Sequence, residues 1–346
     1  MPKVKFTPFD RTIECADSEG ILGAALSQGY FLRYGCKHGG CGTCKVLITD
    51  GDIEDSGSSF ALAHAERTAG WALACSSRPL SDCVIDISPM GLTEEEFLAG
   101  DQVETFETVI ERVTDLTPTI RGVTLRLVSP PQMRFTAGQF VNVEVPGTAD
   151  VRAFSMANAP GANSEIELIV RIFPGGKFSE YLKRAKKGDA VRVFGPVGSL
   201  RVRLSYRKII MIAGGSGMAP MLSMLTDLIQ KNDRRAATLF FGARTCAELY
   251  HTDRLAALCN LSGRAQFVPV VEDPGEAWDG ERGLVTDAVA RRMGSLRGYD
   301  AYLCGPPPMV AAARELVTRL GVREANVYFD AFVPTGAAEP GADLRQ

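Results

Sequence analysis

Cys36, Cys41 and Cys44 fall in one glycine-rich loop with four and then two residues between them, and Cys75 follows after thirty more. Four thiolates at this Cys-x4-Cys-x2-Cys…Cys spacing suit a plant-type [2Fe–2S] cluster. Gly35, Gly39, Gly40 and Gly42 let the loop wrap tightly and turn backbone N–H groups toward the sulfides, while Thr43 is small enough not to crowd it. Structural zinc sites usually pair two short Cys-x2–4-Cys knuckles, whereas here three cysteines share one loop and the fourth stands apart. A Rieske centre needs two histidine ligands, and His38 is the sole histidine in the loop. Cys15, Cys83, Cys246 and Cys259 have no cysteine neighbour at ligand spacing and read as small hydrophobes.

A second group of residues suits phosphate and ring binding. Gly214-Gly215-Ser216-Gly217-Met218-Ala219-Pro220 follows the apolar run Ile209–Ala213 and opens a helical stretch. Glycines there let phosphate oxygens approach backbone N–H groups at the positive end of a helix. Pro220 stands where the dinucleotide fingerprint has a third glycine, and a first helical turn loses no donor to proline. Upstream, Arg152-Ala153-Phe154-Ser155 offers a bidentate grip on a diphosphate and an aromatic for a flat ring. Gly175 and Gly176, with Ser179 behind them, form a further candidate phosphate turn. Cys304-Gly305-Pro306-Pro307-Pro308-Met309 ends an apolar strand, where ligands of parallel sheets bind. Each segment also has a plain structural reading: a tight strand–helix turn, an ordinary strand, a rigid proline corner. Their order along one chain favours function.

Three rhythms of sequence must position these groups. Up to about residue 90, short alternating strands (Val4–Phe6, Thr12–Cys15, Lys45–Thr49, Trp71–Ala74, Val84–Ile87) surround one helix, Ile21–Gln28, behind Ser18 as N-cap. That is a small α+β domain. Residues 91–100 carry three adjacent glutamates between glycines and read as an acidic connector or a solvated turn of helix. From about 102 to 203 the chain alternates at period two with Pro/Gly turns between strands, which predicts an antiparallel β-barrel with a helix near Phe178–Lys183. Beyond 205, apolar strands at 209–213, 238–241, 267–271, 301–304 and 327–329 alternate with helices near 218–231, 248–260, 284–293 and 308–320. This βαβ order predicts an α/β doubly wound parallel sheet.

Taken in sequence, the cluster loop, Arg152-Ala-Phe-Ser, Gly-Gly-Ser-Gly-Met-Ala-Pro and Cys-Gly-Pro-Pro-Pro-Met resemble the ferredoxin–NAD(P)H reductase superfamily. With the ferredoxin portion first, the chain is similar to reductase components of soluble di-iron monooxygenases of the methane, phenol, toluene or propane type. The resemblance reaches about Pro334. It implies a β-grasp [2Fe–2S] ferredoxin domain over 1–92, an acidic linker over 93–101, an FAD-binding β-barrel over 102–204 and an NAD(P)-binding α/β domain over 205–334. The tail 335–346 lies outside it and is expected to be disordered. By the same resemblance Arg152, Phe154 and Ser155 hold FAD, with Phe154 where many members have tyrosine. Gly175, Gly176 and Ser179 are its second flavin-phosphate element. Gly214, Gly215, Gly217 and Pro220 form the nicotinamide-nucleotide turn, and Cys304 and Gly305 border the nicotinamide. Asp330-Ala331-Phe332 matches an acidic–x–Phe element beside the flavin, where relatives commonly carry glutamate. Ser155, Cys304 and Asp330 are the catalytic candidates, and Cys36, Cys41, Cys44 and Cys75 the iron ligands.

The implied activity is electron transfer from NADH through FAD and the cluster to the hydroxylase of a multicomponent di-iron monooxygenase. A Rieske-type aromatic-ring dioxygenase is the alternative acceptor. After strand 238–241 comes Gly242-Ala243-Arg244, with no adjacent acid for a ribose 2′-hydroxyl, and Arg244 could meet a 2′-phosphate. NADH is favoured over NADPH all the same. An electron carrier that has lost nucleotide binding is disfavoured by the intact glycine turns. A DNA-binding redox sensor would need a basic stripe or helix-turn-helix. Charge argues against nucleic acid too, at −3 net for 346 residues. It is unevenly spread: residues 1–105 hold 8 Lys/Arg against 16 Asp/Glu, and the remainder 30 against 25. No secretory leader and no apolar run near ~18 residues is evident, so a cytoplasmic monomer without a membrane span is expected.

Overall fold

The structure, a computed structural model, describes all residues except 17–18, 36–38, 40–41, 56–60, 99–102, 149, 162 and 333–346. The expected N-cap Ser18 and the tail 335–346 lie outside the described residues. The chain divides into two compact units, with the boundary between Val103 and Glu104.

In the first unit, alternation of apolar and polar residues gives β1 (Lys3–Thr7), β2 (Arg11–Glu14), β3 (Lys45–Asp50), β5 (Trp71–Leu73) and β7 (Cys83–Asp86). They form one mixed sheet in the order β2-β1-β7-β3-β5, in which β1 and β7 run parallel. A short ribbon pairs β4 (Ile53–Asp55) with β6 (Ser77–Pro79), and α2 spans His64–Thr68. Helix α1 (Ile21–Ser27) buries Ile21, Leu22, Ala24 and Ala25 on the same core as Val4, Phe6, Ile13 and Ile85. A mixed sheet holding one helix is the β-grasp arrangement. The helix is entered from extended Gly20, with no side-chain cap.

Residues 93–98 of the expected acidic linker are folded. Thr93 Oγ1 accepts from the Glu96 N–H at 3.1 Å and Glu96 returns the bond to the Thr93 N–H at 2.9 Å, a reciprocal cap that starts α3 (Glu94–Leu98). Its one aromatic, Phe97, is fully buried, with ring centroids 5.1 Å from Tyr30, 5.3 Å from Phe9 and 5.7 Å from Phe6. Three glutamates on a helix do not make a tether when a buried phenylalanine anchors the same turn.

The second unit opens with a barrel. β8 (Glu104–Thr117), β9 (Ile120–Ser129), β10 (Phe140–Glu144), β11 (Val151–Ser155), β12 (Glu165–Arg171) and β13 (Ala190–Val197) pair antiparallel in the order β11-β10-β13-β8-β9-β12. A bridge between Met156 and Leu168 joins the two edges and closes it. Helix α4 (Lys177–Leu182) lies between β12 and β13 and buries Phe178, Tyr181 and Leu182.

Then follow β14 (Lys208–Gly214), α5 (Met218–Gln230), β15 (Ala237–Ala243), α6 (Thr252–Ser262), β16 (Ala265–Val271), β17 (Glu281–Arg282), α7 (Val285–Arg292), β18 (Tyr299–Gly305), α8 (Pro307–Arg319) and β19 (Val327–Ala331). The six strands are parallel in the order β17-β16-β15-β14-β18-β19. The chain therefore reverses its winding at β14, between β15 on one side and β18 on the other. Ligands of such sheets sit at the strand ends beside that reversal. Barrel residues Ile120, Ala157, Ile169 and Leu200 pack into one core with Met218, Met221, Leu222 and Leu225, so barrel and sheet share one buried interior. Ser223 Oγ adds a donor to the Asn158 carbonyl at 2.7 Å, and Arg254 meets Glu167 at 3.3 Å. The expected helix 248–260 begins only at Thr252. Cys246–Glu248 is a 3-10 turn, Leu249 is extended, and His251 has φ +55°, a left-handed entry that no α-helix continues through.

Candidate cofactor sites

In the first unit the Leu22 N–H donates to the Ala74 carbonyl at 2.8 Å, and the Ala74 N–H donates to the Cys44 carbonyl at 3.0 Å. That ladder brings buried Cys44 beside half-buried Cys75 across thirty intervening residues. Gly39 and Gly42 take φ +79° and +70°, and a Cβ on Gly42 would lie 3.3 Å from that of Ala61. These two glycine positions thus suit tight wrapping of a cluster. Cys36 and Cys41 lie outside the described residues.

In the second unit the two proposed flavin elements come together. Asp150 pairs with Lys177 and lies 3.5 Å from Arg152, whose guanidinium also donates to the Val151 carbonyl at 2.9 Å. The Lys177 ammonium, with Arg152 behind it, holds the Asp150 carboxyl below its usual range. Phe154 and Phe178 meet at 4.9 Å between centroids, and Ser155 is buried opposite Phe140. Gly175 has φ +73°, and Ser179 Oγ accepts from the Phe173 N–H at 3.0 Å. A Cβ on Gly176 would stand 3.1 Å from both the Phe173 carbonyl oxygen and Ser179 Oγ, so a side chain there would force the turn to give by a few tenths of an ångström. One cation, an aromatic pair and a glycine turn facing one place fit a flavin diphosphate and ring.

The glycine turn after β14 is tighter still. A Cβ on Gly217 would fall 2.3 Å from the Cys304 carbonyl oxygen, and one on Gly214 2.5 Å from Met309 Sδ. Gly215 sits at φ +55°, and the Tyr250 hydroxyl donates to its carbonyl at 2.8 Å. Burial pushes the Tyr250 phenol well above its ordinary pKa, so it remains a donor. Pro220 lies buried in the first turn of α5. Across the reversal, Cys304 is paired in register with Ala213 on one side and Asp330 on the other. The Phe332 N–H donates to the Gly305 carbonyl at 2.9 Å, which fixes the Asp330-Ala331-Phe332 end against β18. Burial, then the neighbouring Asp330, raise the Cys304 thiol well above its ordinary pKa and keep it uncharged.

A cleft of about 270 Å³ runs from Gly214, Gly215, Pro306 and Met309 across Gly242, Ala243 and Arg244 to Glu272, with Thr119 and Arg171 of the barrel on its wall. Glu248 and Glu272 line it, although neither adjoins Arg244 in sequence. The Arg244 N–H donates to Glu248 Oε2 at 3.1 Å because the 3-10 turn brings Glu248 back. Sequence reading that places residue 248 in a helix cannot find this acid, and Tyr250 is missed for the same reason. The remaining thiols do structural duty: Cys83 and Cys246 donate to the Asp52 and Pro274 carbonyls, each at 3.3 Å, and burial pushes Cys259 up to about 11.

Comparison with known proteins follows this layout. The 2Fe-2S iron-sulfur cluster binding domain family matches residues 4–80, the oxidoreductase FAD-binding domain family residues 107–202, and the oxidoreductase NAD-binding domain family residues 211–315. The reductase component of phenol 2-monooxygenase from a Pseudomonas species is 40% identical over 335 residues, covering 95% of this chain and 94% of that one. The chain belongs to the ferredoxin–NAD(P)H reductase superfamily, among the monooxygenase reductase components. The propane 2-monooxygenase reductase component of Mycolicibacterium goodii is 35% identical over 338 residues, covering 95% of this chain and 97% of that one. The toluate 1,2-dioxygenase electron transfer component of Pseudomonas putida is 30% identical over 325 residues, covering 93% and 95%. Among solved structures, an Amycolatopsis cytochrome P450 reductase superposes with TM-score 0.77 at 29% identity, over 96% of this chain and 99% of that one. This member of the superfamily is an iron–sulfur flavoprotein oxidoreductase that uses FAD, a [2Fe–2S] cluster and NAD(H). No helix among the described residues is long and apolar enough to cross a membrane.

Proposed function

We propose that this chain is the NADH-dependent reductase of a multicomponent di-iron monooxygenase and delivers electrons to its hydroxylase. The carrying observation is the 40% identity to a phenol 2-monooxygenase reductase across nearly all of both chains. When bound, FAD and the cluster supply the conversion of a two-electron hydride donor into single-electron delivery. The protein's part is binding and positioning. Arg152 and the Gly175–Ser179 turn would hold the flavin diphosphate, and Phe154 would supply an aromatic face for its ring. Backbone N–H groups of the Gly214–Gly217 turn take the dinucleotide phosphates at the head of α5. Ser155, and Cys304 with Asp330 in register beside it, would border the flavin and the nicotinamide, where the thiol, kept uncharged by burial, would add no anion. The chain works as a monomer in the cytoplasm, a compartment that keeps cluster thiols reduced.

Replacing Cys75 with Ser tests the division of labour. NADH should still bleach the flavin, while delivery to the oxygenase should fall by about two orders of magnitude or more, because a cluster ligand is lost. Loss of flavin reduction in the same variant would sink the assignment. The 30% identity to a toluate dioxygenase component keeps a Rieske acceptor as the second reading. Reconstituting turnover with a di-iron hydroxylase and with a Rieske oxygenase in parallel decides between them.

A further inference from the structure

We propose that Glu248 and Glu272 make the cleft selective for a dinucleotide whose adenosine ribose carries a free 2′-hydroxyl, and that Glu248 disarms Arg244 as a phosphate ligand. The proposal rests on the cleft being the nucleotide site and names what that site rejects. The topology orients the ligand. The diphosphate belongs at the turn after β14, and the Cys304 lip lies toward β18. The adenosine half therefore extends the other way, over the end of β15 at Gly242-Ala243-Arg244 and on to the end of β16, where Glu272 lines the cleft. Two donors there would suit a 2′-phosphate: the Arg244 guanidinium and the Arg244 backbone N–H.

Both are engaged. The N–H donates to Glu248 Oε2 at 3.1 Å, and the guanidinium Nη2 stands 3.5 Å from Glu248 Oε1. The loop that presents Glu248 is well supported: its N–H donates to the Thr245 carbonyl at 3.0 Å, and Cys246 Sγ donates to the Pro274 carbonyl at 3.3 Å. Glu272 is fixed in turn, its N–H donating to the Ala243 carbonyl at 3.0 Å, while the Asp273 N–H donates to the Arg244 carbonyl at 2.7 Å. Two carboxylates thus share the wall where the ribose edge must lie. A carboxylate accepts hydrogen bonds from hydroxyls and accepts none from a phosphate dianion, which it repels. The cleft's arginines, Arg171 and Arg244, are matched by these two glutamates, so no net positive charge remains to draw a 2′-phosphate.

The test uses the FAD-loaded, cluster-loaded protein and the fragments 5′-ADP and 2′,5′-ADP, titrated calorimetrically alongside NADH and NADPH reduction of the flavin. Wild type should bind 5′-ADP at least about tenfold more tightly, since like-charge juxtaposition costs several kcal/mol. E248Q, which keeps the side-chain shape, should narrow that ratio about tenfold by strengthening 2′,5′-ADP, and E248Q/E272Q should narrow it further. R244A added to E248Q should return the 2′,5′-ADP affinity to within about twofold of wild type, because the gain comes from the Arg244 that E248Q releases. Equal wild-type affinity for both fragments, an unchanged ratio in E248Q, or full retention of the E248Q gain when R244A is added would each overturn the proposal. A wild type that binds neither fragment and is reduced by neither dinucleotide would instead remove the nucleotide-site reading itself.

Discussion

At the scale of single residues, the nucleotide turn is held by contacts that tolerate no substitute. Gly217 lies under the Cys304 carbonyl and Gly215 is turned into the left-handed region, where glycine alone is unstrained. The Tyr250 hydroxyl secures that turn from beneath by bonding the Gly215 carbonyl, while its ring meets Phe241 edge-on at 5.3 Å. Tyr250→Phe removes one neutral hydrogen bond and leaves the ring packing, a loss of about 1 kcal/mol. The expected result is a KM for NADH raised about fivefold with kcat nearly unchanged and full FAD content. A fall in kcat at constant KM would mean that Tyr250 acts on the chemistry and not on the turn. The glycines were legible from sequence because their spacing after a strand has one common use. Tyr250 and Glu248 were not, since their roles depend on a left-handed His251 and a 3-10 turn that no periodicity announces.

At the scale of elements, periodicity found most sheet strands of both units to within a few residues, because alternating burial fixes strand register, but it passed over the edge strands β11 and β17. Strand β8 runs unbroken from Glu104 to Thr117, since bulges near Arg112 and Thr117 break the alternation without breaking the pairing. Residues 93–98 show the limit most plainly: a turn of helix was among the readings, but not the buried ring and capping box that anchor it. Phe97 joins Phe6, Phe9 and Tyr30, and its carbonyl accepts from the Phe31 N–H at 2.8 Å. Phe97→Ala should therefore destabilise the first unit by about 3–5 kcal/mol. Thermal melting followed at the cluster's visible absorbance reads this directly, and an unchanged midpoint would return α3 to the status of a solvated connector.

At the scale of the whole molecule, the cores decide what can be separated. Every residue of the first unit's core comes from the segment Val4–Val103, whereas Ile120, Ala157, Ile169 and Leu200 of the barrel are buried together with α5 and the parallel sheet. The barrel and the α/β layer thus share one core and should not survive division, though sequence motifs mark them as two domains. The charge is divided at nearly the same place, acidic before and basic after. A chain beginning at Glu104 should consequently fold alone, retain FAD and oxidise NADH with ferricyanide at a rate within about threefold of the full protein, because the sites in the second unit draw only on its own residues. It should lose delivery to the oxygenase altogether. The segment 1–103 should hold the cluster and accept electrons from dithionite but not from NADH. A cut at residue 205 should give two insoluble pieces, since each would expose apolar surface of the shared core to water. Soluble, flavin-retaining material from that second cut would show that the barrel and the sheet are independent after all.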